Sequence, residues 1–199
     1  MRILVVGGDG TVGCAAISDL KKRHEIVTAG RTSGSINVDV MDEASIAAMF
    51  KAAGTIDAVI TTTGHTHFGP VAEMTPALFR KGIDDKLMGQ INVALIGQHH
   101  VNAGGSITLT SGVTNRDFIR KGANASSVNG ALDDFARGAA IEMPRGIRIN
   151  VVSPGLLEAS ATKYDGFFPG HIPVSAESVG LAYTKSVESA LTGQVFVVD

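Results

Sequence analysis

Glycines at positions 7, 8, 10 and 13 follow directly on an apolar run, Ile3 to Val6, and a helix-like pattern follows them. A strand that feeds a helix through so tight a turn leaves bare backbone N–H groups at the helix N-terminus. The partial positive charge there favours a phosphate. The spacing Gly7-x-x-Gly10-x-x-Gly13 is a variant of the dinucleotide fingerprint. Gly7, Asp9, Gly10, Thr11, Val12 and Gly13 are therefore candidate pyrophosphate contacts. Glycine-rich turns also serve structural ends, and Asp9 is a counter-signal: a carboxylate in such a loop repels phosphate unless it points away.

Further cues follow the next strands. An NAD-type site wants an acidic residue about 20 residues on, to accept from the ribose 2′-OH. The second strand instead ends at Arg31-Thr32-Ser33, a guanidinium and two hydroxyls suited to a 2′-phosphate. NADP(H) is preferred and NAD(H) left open; the alternative for Arg31 is a solvated surface arginine. Asp39, with Val40 beside it, either accepts from an adenine amino group or caps the helix near Asp42-Glu43. The single cysteine, Cys14, forms no internal disulfide and is read as a buried packing residue. His65-x-His67, without a carboxylate or cysteine nearby, is too weak for a metal site, and none is expected. His99-His100, near a helix C-terminus, is read as complementing the dipole. The first turn lacks Gly-Lys-Ser/Thr, which disfavours a P-loop for ATP or GTP.

The elements that position these residues alternate between strand and helix, the pattern of a doubly wound parallel α/β sheet. About seven strands are expected: Ile3–Val6, Glu25–Ala29, Ile36–Val38, Ala58–Thr62, Ser106–Thr110, Ile147–Val152 and Gln194–Val198. Helices are expected over Thr11–Arg23, Glu43–Ala53, a long region from Thr75-Pro76 to about Val101, Asn124–Met143 and Ser175–Ala190. Val128, Leu132, Phe135, Ala136, Ala139 and Met143 share one face of the fourth of these. Asn102 to Gly105 reads as a break. Only residues 30–35 separate the second and third strands, too few for the usual helical crossover, so that helix is expected to be missing. Residues 156–174 read as an irregular, lid-like segment. In such sheets ligands bind beyond the C-terminal strand ends.

The 199 residues fit one domain spanning 1–199. With 44% hydrophobic and 18% charged residues, a disordered chain is excluded. Lys+Arg 17 against Asp+Glu 19 gives a net charge of −2, with no basic surplus for a nucleic-acid binder. No apolar run approaches the ~18–20 residues of a membrane span, and no signal-peptide pattern precedes the first strand. The expectation is a cytoplasmic protein.

The chain resembles the short-chain dehydrogenase/reductase family over nearly its full length. The resemblance rests on Gly7…Gly10…Gly13, Leu109-Thr-Ser-Gly112, the block from Ala139 to Gly155 and the C-terminal Thr192–Asp199. It implies hydride transfer between a nicotinamide and a carbonyl or alcohol, with Asn, Ser and a Tyr-x-x-x-Lys pair as the catalytic set. Carried over, Ser111 takes the serine position, with Thr110 beside it. Pro154, Gly155, Leu156 and Leu157 match the segment that holds the nicotinamide carboxamide. Thr61-Thr62-Thr63-Gly64 stands where the family often has Asn-Asn-Ala-Gly. The Tyr-x-x-x-Lys pair is absent: Ala125 falls at the Tyr position and Asn129 at the Lys position. Lys86 falls at the Asn position, so Lys and Asn have exchanged places. Ser111, Lys86 and Asn129 form the expected catalytic set, with Lys86 as first choice of proton donor ahead of His65, His67 and Tyr164. The expected function is an NADP(H)-dependent oxidoreductase acting on a small-molecule carbonyl or alcohol. The alternative is a catalytically weak NADP(H)-binding redox sensor. A homo-oligomer, dimer or tetramer, is implied by the family's habit of pairing its two long helices.

Overall fold

Ile3, Leu4, Val5 and Val6 have no exposed surface, and the molecule is built outward from them. In a computed structural model that describes residues 1–199, they belong to β1 (Arg2–Val6). The other strands are β2 (Glu25–Gly30), β3 (Ile36–Asn37), β4 (Ile56–Thr61), β5 (Val101–Thr110), β6 (Arg148–Pro154) and β7 (Val195–Val198). All pair in parallel in one sheet of order β3-β2-β1-β4-β5-β6-β7. Strand order reverses between β1 and β4, where Val6 lies beside Thr61. A crevice opens at the C-terminal ends of two such strands because their connections leave in opposite directions.

Side chains of β1 alternate between two cores, as the period of two requires. Leu4 and Val6 pack under α2 (Glu43–Ala53), α4 (Gly89–Gly97) and α5 (Ala123–Ala139). Ile3 and Val5 pack under α1 (Thr11–Leu20) and α6 (Ala176–Glu188) on the other face. Val128, Leu132 and Ala136 of α5 are buried as expected, with Phe135, Ala139 and Met143 packed at the edge of that core. No helix is long and apolar enough to cross a membrane.

The β2–β3 crossover has no helix. The chain doubles back through residues 31–35, with Gly34 at φ +95° and the Ser35 N–H donating to the Thr28 carbonyl at 2.9 Å. This is possible because β3 pairs over only two residues, so little length must be retraced.

Several boundaries differ from expectation. α1 stops at Leu20, and its basic residues sit beyond it: Lys22 and Arg23 pair with Asp19 at 3.0 and 2.9 Å. The long helix after Thr75 is α3 (Pro76–Gly82), a π-helical turn over Ile83–Met88 and α4, which ends at Gly97. His100 lies past that end and stacks on Phe50, ring centroids 5.0 Å apart, rather than facing the helix carbonyls. α5 ends at Ala139, where the chain tightens into turns (Ile141 N–H to the Gly138 carbonyl, Glu142 N–H to the Ala139 carbonyl), and Met143 before Pro144 is already extended. Residues 102–105 are not a break but a bulge inside β5. Ile56 pairs with Val101 and Ala58 with Ser106, so Asp57 alone faces four residues. Asp57 anchors the bulge by accepting from Asn102 Nδ2 and the Arg2 N–H, both at 2.7 Å. Cys14 is exposed, not buried; its thiol lies 3.6 Å from the Gly8 carbonyl oxygen.

Gly13 seats α1 on the glycine turn. A Cβ there would overlap the Gly7 carbonyl oxygen and the Gly8 backbone. Gly13→Ala is expected to lower stability by about 3 kcal/mol, since backbone cannot retreat as a side chain can. Urea denaturation followed by circular dichroism measures it.

Candidate active site

The turn after β1 carries the glycines in two distinct roles. Gly7 has φ +85° and a Cβ there would lie 2.9 Å from Thr62 Oγ1; Gly13 is closed in by Gly7 and Gly8. Both serve packing. Gly10 caps α1 without a side-chain hydrogen bond, and the first turn holds no acidic residue. A Cβ on Gly10 would meet only the Gly7 oxygen, at 3.4 Å. The bare helix start, Gly10 to Val12, therefore lines a cleft of about 620 Å³ beyond the C-terminal strand ends.

The next wall comes from β4. The Thr62 N–H donates to the Val6 carbonyl at 2.9 Å and its hydroxyl to the Gly7 carbonyl at 3.0 Å, fixing the two strand ends together. Gly64, at φ +103°, lies flush against the π-helical turn, where a Cβ would overlap Lys86 Cα. A π turn inserts one extra residue and re-aims the side chains that follow. Lys86 Nζ donates to the Ser111 carbonyl and to Asn129 Oδ1, both at 2.8 Å. Asn129 is oriented in turn by donating to Thr114 Oγ1 at 2.9 Å. An ammonium has three protons, so one remains for the cleft. Enclosure of the amine pushes the Lys86 pKa down to about 8 from 10.5, and buried Asp133, one turn beyond Asn129, opposes the shift. Ser111 is 3% exposed, and its Oγ has no partner within the chain.

Lys86, Asn129 and Ser111, named from sequence on three separate elements, thus meet in one cleft. Thr62, Thr63, Gly64, Thr110, Pro154, Gly155, Leu156 and Leu157 line it too. Gly7, Asp9, Gly13, Arg31, Thr32, Ser33, Asp39 and Val40 do not. Arg31 is exposed at the end of β2 and faces Asp39 at 3.6 Å. The cap of α2 is Asp42, which accepts from the Ala44 N–H at 3.0 Å; Asp39 accepts from Met41 instead. Val40 is buried and packs towards Gly89. His65 and Tyr164 reach the cleft, whereas His67 lines a neighbouring hollow.

Gln90 escaped the sequence reading. It is fully buried, donates to the Thr63 and Thr110 carbonyls at 3.1 and 2.9 Å, and accepts from the Thr110 N–H at 2.8 Å. One amide thus staples the loop after β4 to the end of β5, directly before Ser111. Its one sequence signal is a polar residue four positions after Lys86 in a mostly apolar helix. Arg116 works similarly at β6, donating to the Ser153 hydroxyl and carbonyl.

A family model described as enoyl-(acyl carrier protein) reductase matches residues 9–199. The chain belongs to the short-chain dehydrogenase/reductase family. This short-chain dehydrogenase is 32% identical over 162 residues to the tetrahydroxynaphthalene reductase of Pyricularia oryzae, covering 73% of this chain and 56% of that protein. It is 32% identical over 142 residues to the trihydroxynaphthalene reductase of Colletotrichum orbiculare, covering 66% and 50%. It spans about half the length of the curated relatives it matches. Among solved structures it is similar to the protein lin1944 of Listeria innocua, with 46% identity, a TM-score of 0.98 and both chains covered in full. It is also similar to a small-chain dehydrogenase solved in complex with NADPH, with 28% identity, a TM-score of 0.87, and 100% and 96% of the chains covered.

A cation held at a depressed pKa weakens the fold below that pKa. The unfolded chain binds the proton more tightly, so the cost is full below pH 8 and fades towards pH 10.5. Lys86→Met is expected to melt about 2–4 °C higher than wild type at pH 7, the lost hydrogen bonds offsetting part of the gain. The difference should shrink as pH rises to 10. Calorimetric melts at both pH values check it.

Proposed function

We propose that this chain is an NADP(H)-dependent oxidoreductase that reduces a carbonyl or oxidises the corresponding alcohol. The observation that carries the reading is the Lys86 ammonium, fixed between the Ser111 carbonyl and Asn129 in the same cleft as the bare start of α1. The residues present suit a dinucleotide. Thr11 and Val12 offer uncapped backbone N–H groups to a pyrophosphate, while the Gly10 N–H is held by the Gly7 carbonyl at 3.1 Å. Ser111 Oγ is a buried polar atom without a partner, as a site for a carbonyl oxygen requires. The NADPH held by the small-chain dehydrogenase of similar fold supports the choice of cofactor. A bound nicotinamide would supply the hydride.

The chain's own residues would do the rest. Gly7 and Gly13 shape the turn, and Asp9 is exposed with room to point away from a phosphate. Arg31, Thr32 and Ser33 would hold the 2′-phosphate, with Arg31 exchanging its long contact to Asp39 for the closer anion. Val40 would close one side of the adenine site. Thr62, Thr63 and Gly64 would pass along the ribose and Pro154 to Leu157 along the carboxamide. Ser111 would donate to the substrate oxygen, and Lys86 would deliver the proton, with Asn129 holding the amine in place. Residues 156–174 would cover the substrate; they are tied down at their base by the Leu157–Val174 bridge.

Ala125 lines the cleft where the resemblance expects a phenol, and that favours a second reading, an NADP(H)-binding sensor with little turnover. Positioned acid–base catalysis is worth about 10²–10⁴-fold. Single-turnover oxidation of bound NADPH by a panel of carbonyls separates the two: oxidation by at least one supports the enzyme, and tight binding with none supports the sensor. Arg31→Ala should weaken NADPH about 10- to 100-fold, the loss of about 1.5–3 kcal/mol in charge-assisted bonds. NADH binding should be nearly unchanged. Isothermal titration with both nucleotides is the check, and equal losses would remove the 2′-phosphate role.

A further inference from the structure

The cleft around Lys86 has a one-sided chemistry. No Asp or Glu lines it; its charged or titratable polar groups are Lys86, the exposed Lys163, His65 and the Tyr164 phenol. One wall is aromatic, with Phe68 from the loop after β4 and Tyr164 and Phe168 from the segment after β6. Phe68 and Tyr164 lie 6.2 Å apart and inclined at 51°; Tyr164 and Phe168 lie 6.1 Å apart and nearly perpendicular. Such tilted and edge-to-face contacts brace the rings as a panel. All three are half-buried, leaving aromatic surface for an occupant. From α5 the cleft receives a methyl, Ala125, and an amide, Asn129, neither of which is an acid.

Two kinds of oxyanion arise from carbonyl reduction, and they differ in basicity. Reduction of an aliphatic ketone generates an alkoxide, about as basic as hydroxide, whose conjugate acid has a pKa near 16. Reduction to a phenol generates an anion whose conjugate acid has a pKa near 10. The Lys86 ammonium, held by the Ser111 carbonyl and Asn129, can protonate either anion, so the aromatic wall decides between them, and a flat ring on that wall gives the second.

We propose that the cleft takes a flat, conjugated carbonyl compound of the quinone type, whose reduced form is a phenol, with its ring on the Phe68–Tyr164–Phe168 wall and its oxygen at Lys86 and Ser111. The inference rests on the oxidoreductase reading above. In the step, the quinone gains one hydride, which carries both electrons and the first proton, from a reduced nicotinamide that is thereby oxidised. The hydroquinone monoanion then takes its second proton from the Lys86 ammonium, which is reprotonated from water. Four groups besides Ser111 and Asn129 bear on that oxygen's charge: His65 on the β4 loop, Asp85 bonded to it, Asp133 on α5 and Lys163.

The test uses 2-naphthol as a stand-in for the product, with the protein free of nucleotide, titrated by absorbance. Wild type should bind it and lower its apparent pKa by about one unit or more, as an adjacent cation does. Lys86→Met should bind it without the shift. Tyr164→Leu, which leaves the cation in place, should bind about 10-fold more weakly and keep the shift. Absence of binding, or an unmoved pKa in wild type, overturns the proposal. With NADPH present, a naphthoquinone should be reduced with kcat/KM at least about 100-fold above cyclohexanone; the reverse order also overturns it. If NADPH fails to bind while the naphthol shift persists, the oxidoreductase reading fails and the occupant's class stands.

Discussion

The candidate site depends on holding one ammonium inside a cleft. Enclosing a lysine amine costs hydration free energy, and the surrounding elements are arranged to offset it. The Ser111 carbonyl and Asn129 Oδ1 replace two water acceptors, Thr114 fixes the asparagine, and Asp133 supplies a distant negative charge. The π-helical turn aims the lysine, and Gly64 lets that turn close down on the loop beyond β4. A side chain at Gly64 would overlap Lys86 Cα and Cβ and keep the turn from closing.

The same economy governs the glycine turn after β1. Gly7 and Gly13 are small because backbone presses on backbone; Gly10 is small where the loop faces open space. A spacing that looks like a single ligand motif is therefore two packing positions and one bare surface. The sheet places that surface opposite Lys86, since β1 and β4 are neighbours at the point of strand reversal. Gln90 and Arg116 then lock the ends of β4, β5 and β6 into a common rim.

Much of this was legible in the residues. The alternation of strand and helix gave the doubly wound sheet, and six residues between two strands left no room for a helix. Lys86 and Asn129, read at exchanged positions, meet Ser111 in one cleft. Other features were hidden, each for a physical reason. Asp57 and Asn102 anchor the β5 bulge across strands, so local sequence showed only a break. The π turn has the composition of ordinary helix. Cys14 was assigned to the core by its usual preference, but the first turn of α1 faces outward there. The aromatic wall draws Phe68 from one loop and Tyr164 and Phe168 from another about a hundred residues away.

Sequence alone determined the fold class and the glycine turn, because periodicity and backbone freedom are local properties carried by neighbouring residues, and it named Lys86, Asn129 and Ser111 as candidates. Only the tertiary structure decided what those side chains are. Lys86 becomes an enclosed cation with a lowered pKa, Ser111 an unpartnered hydroxyl, and Gln90 a staple. These properties depend on burial and on partners 20 to 43 residues distant in the chain.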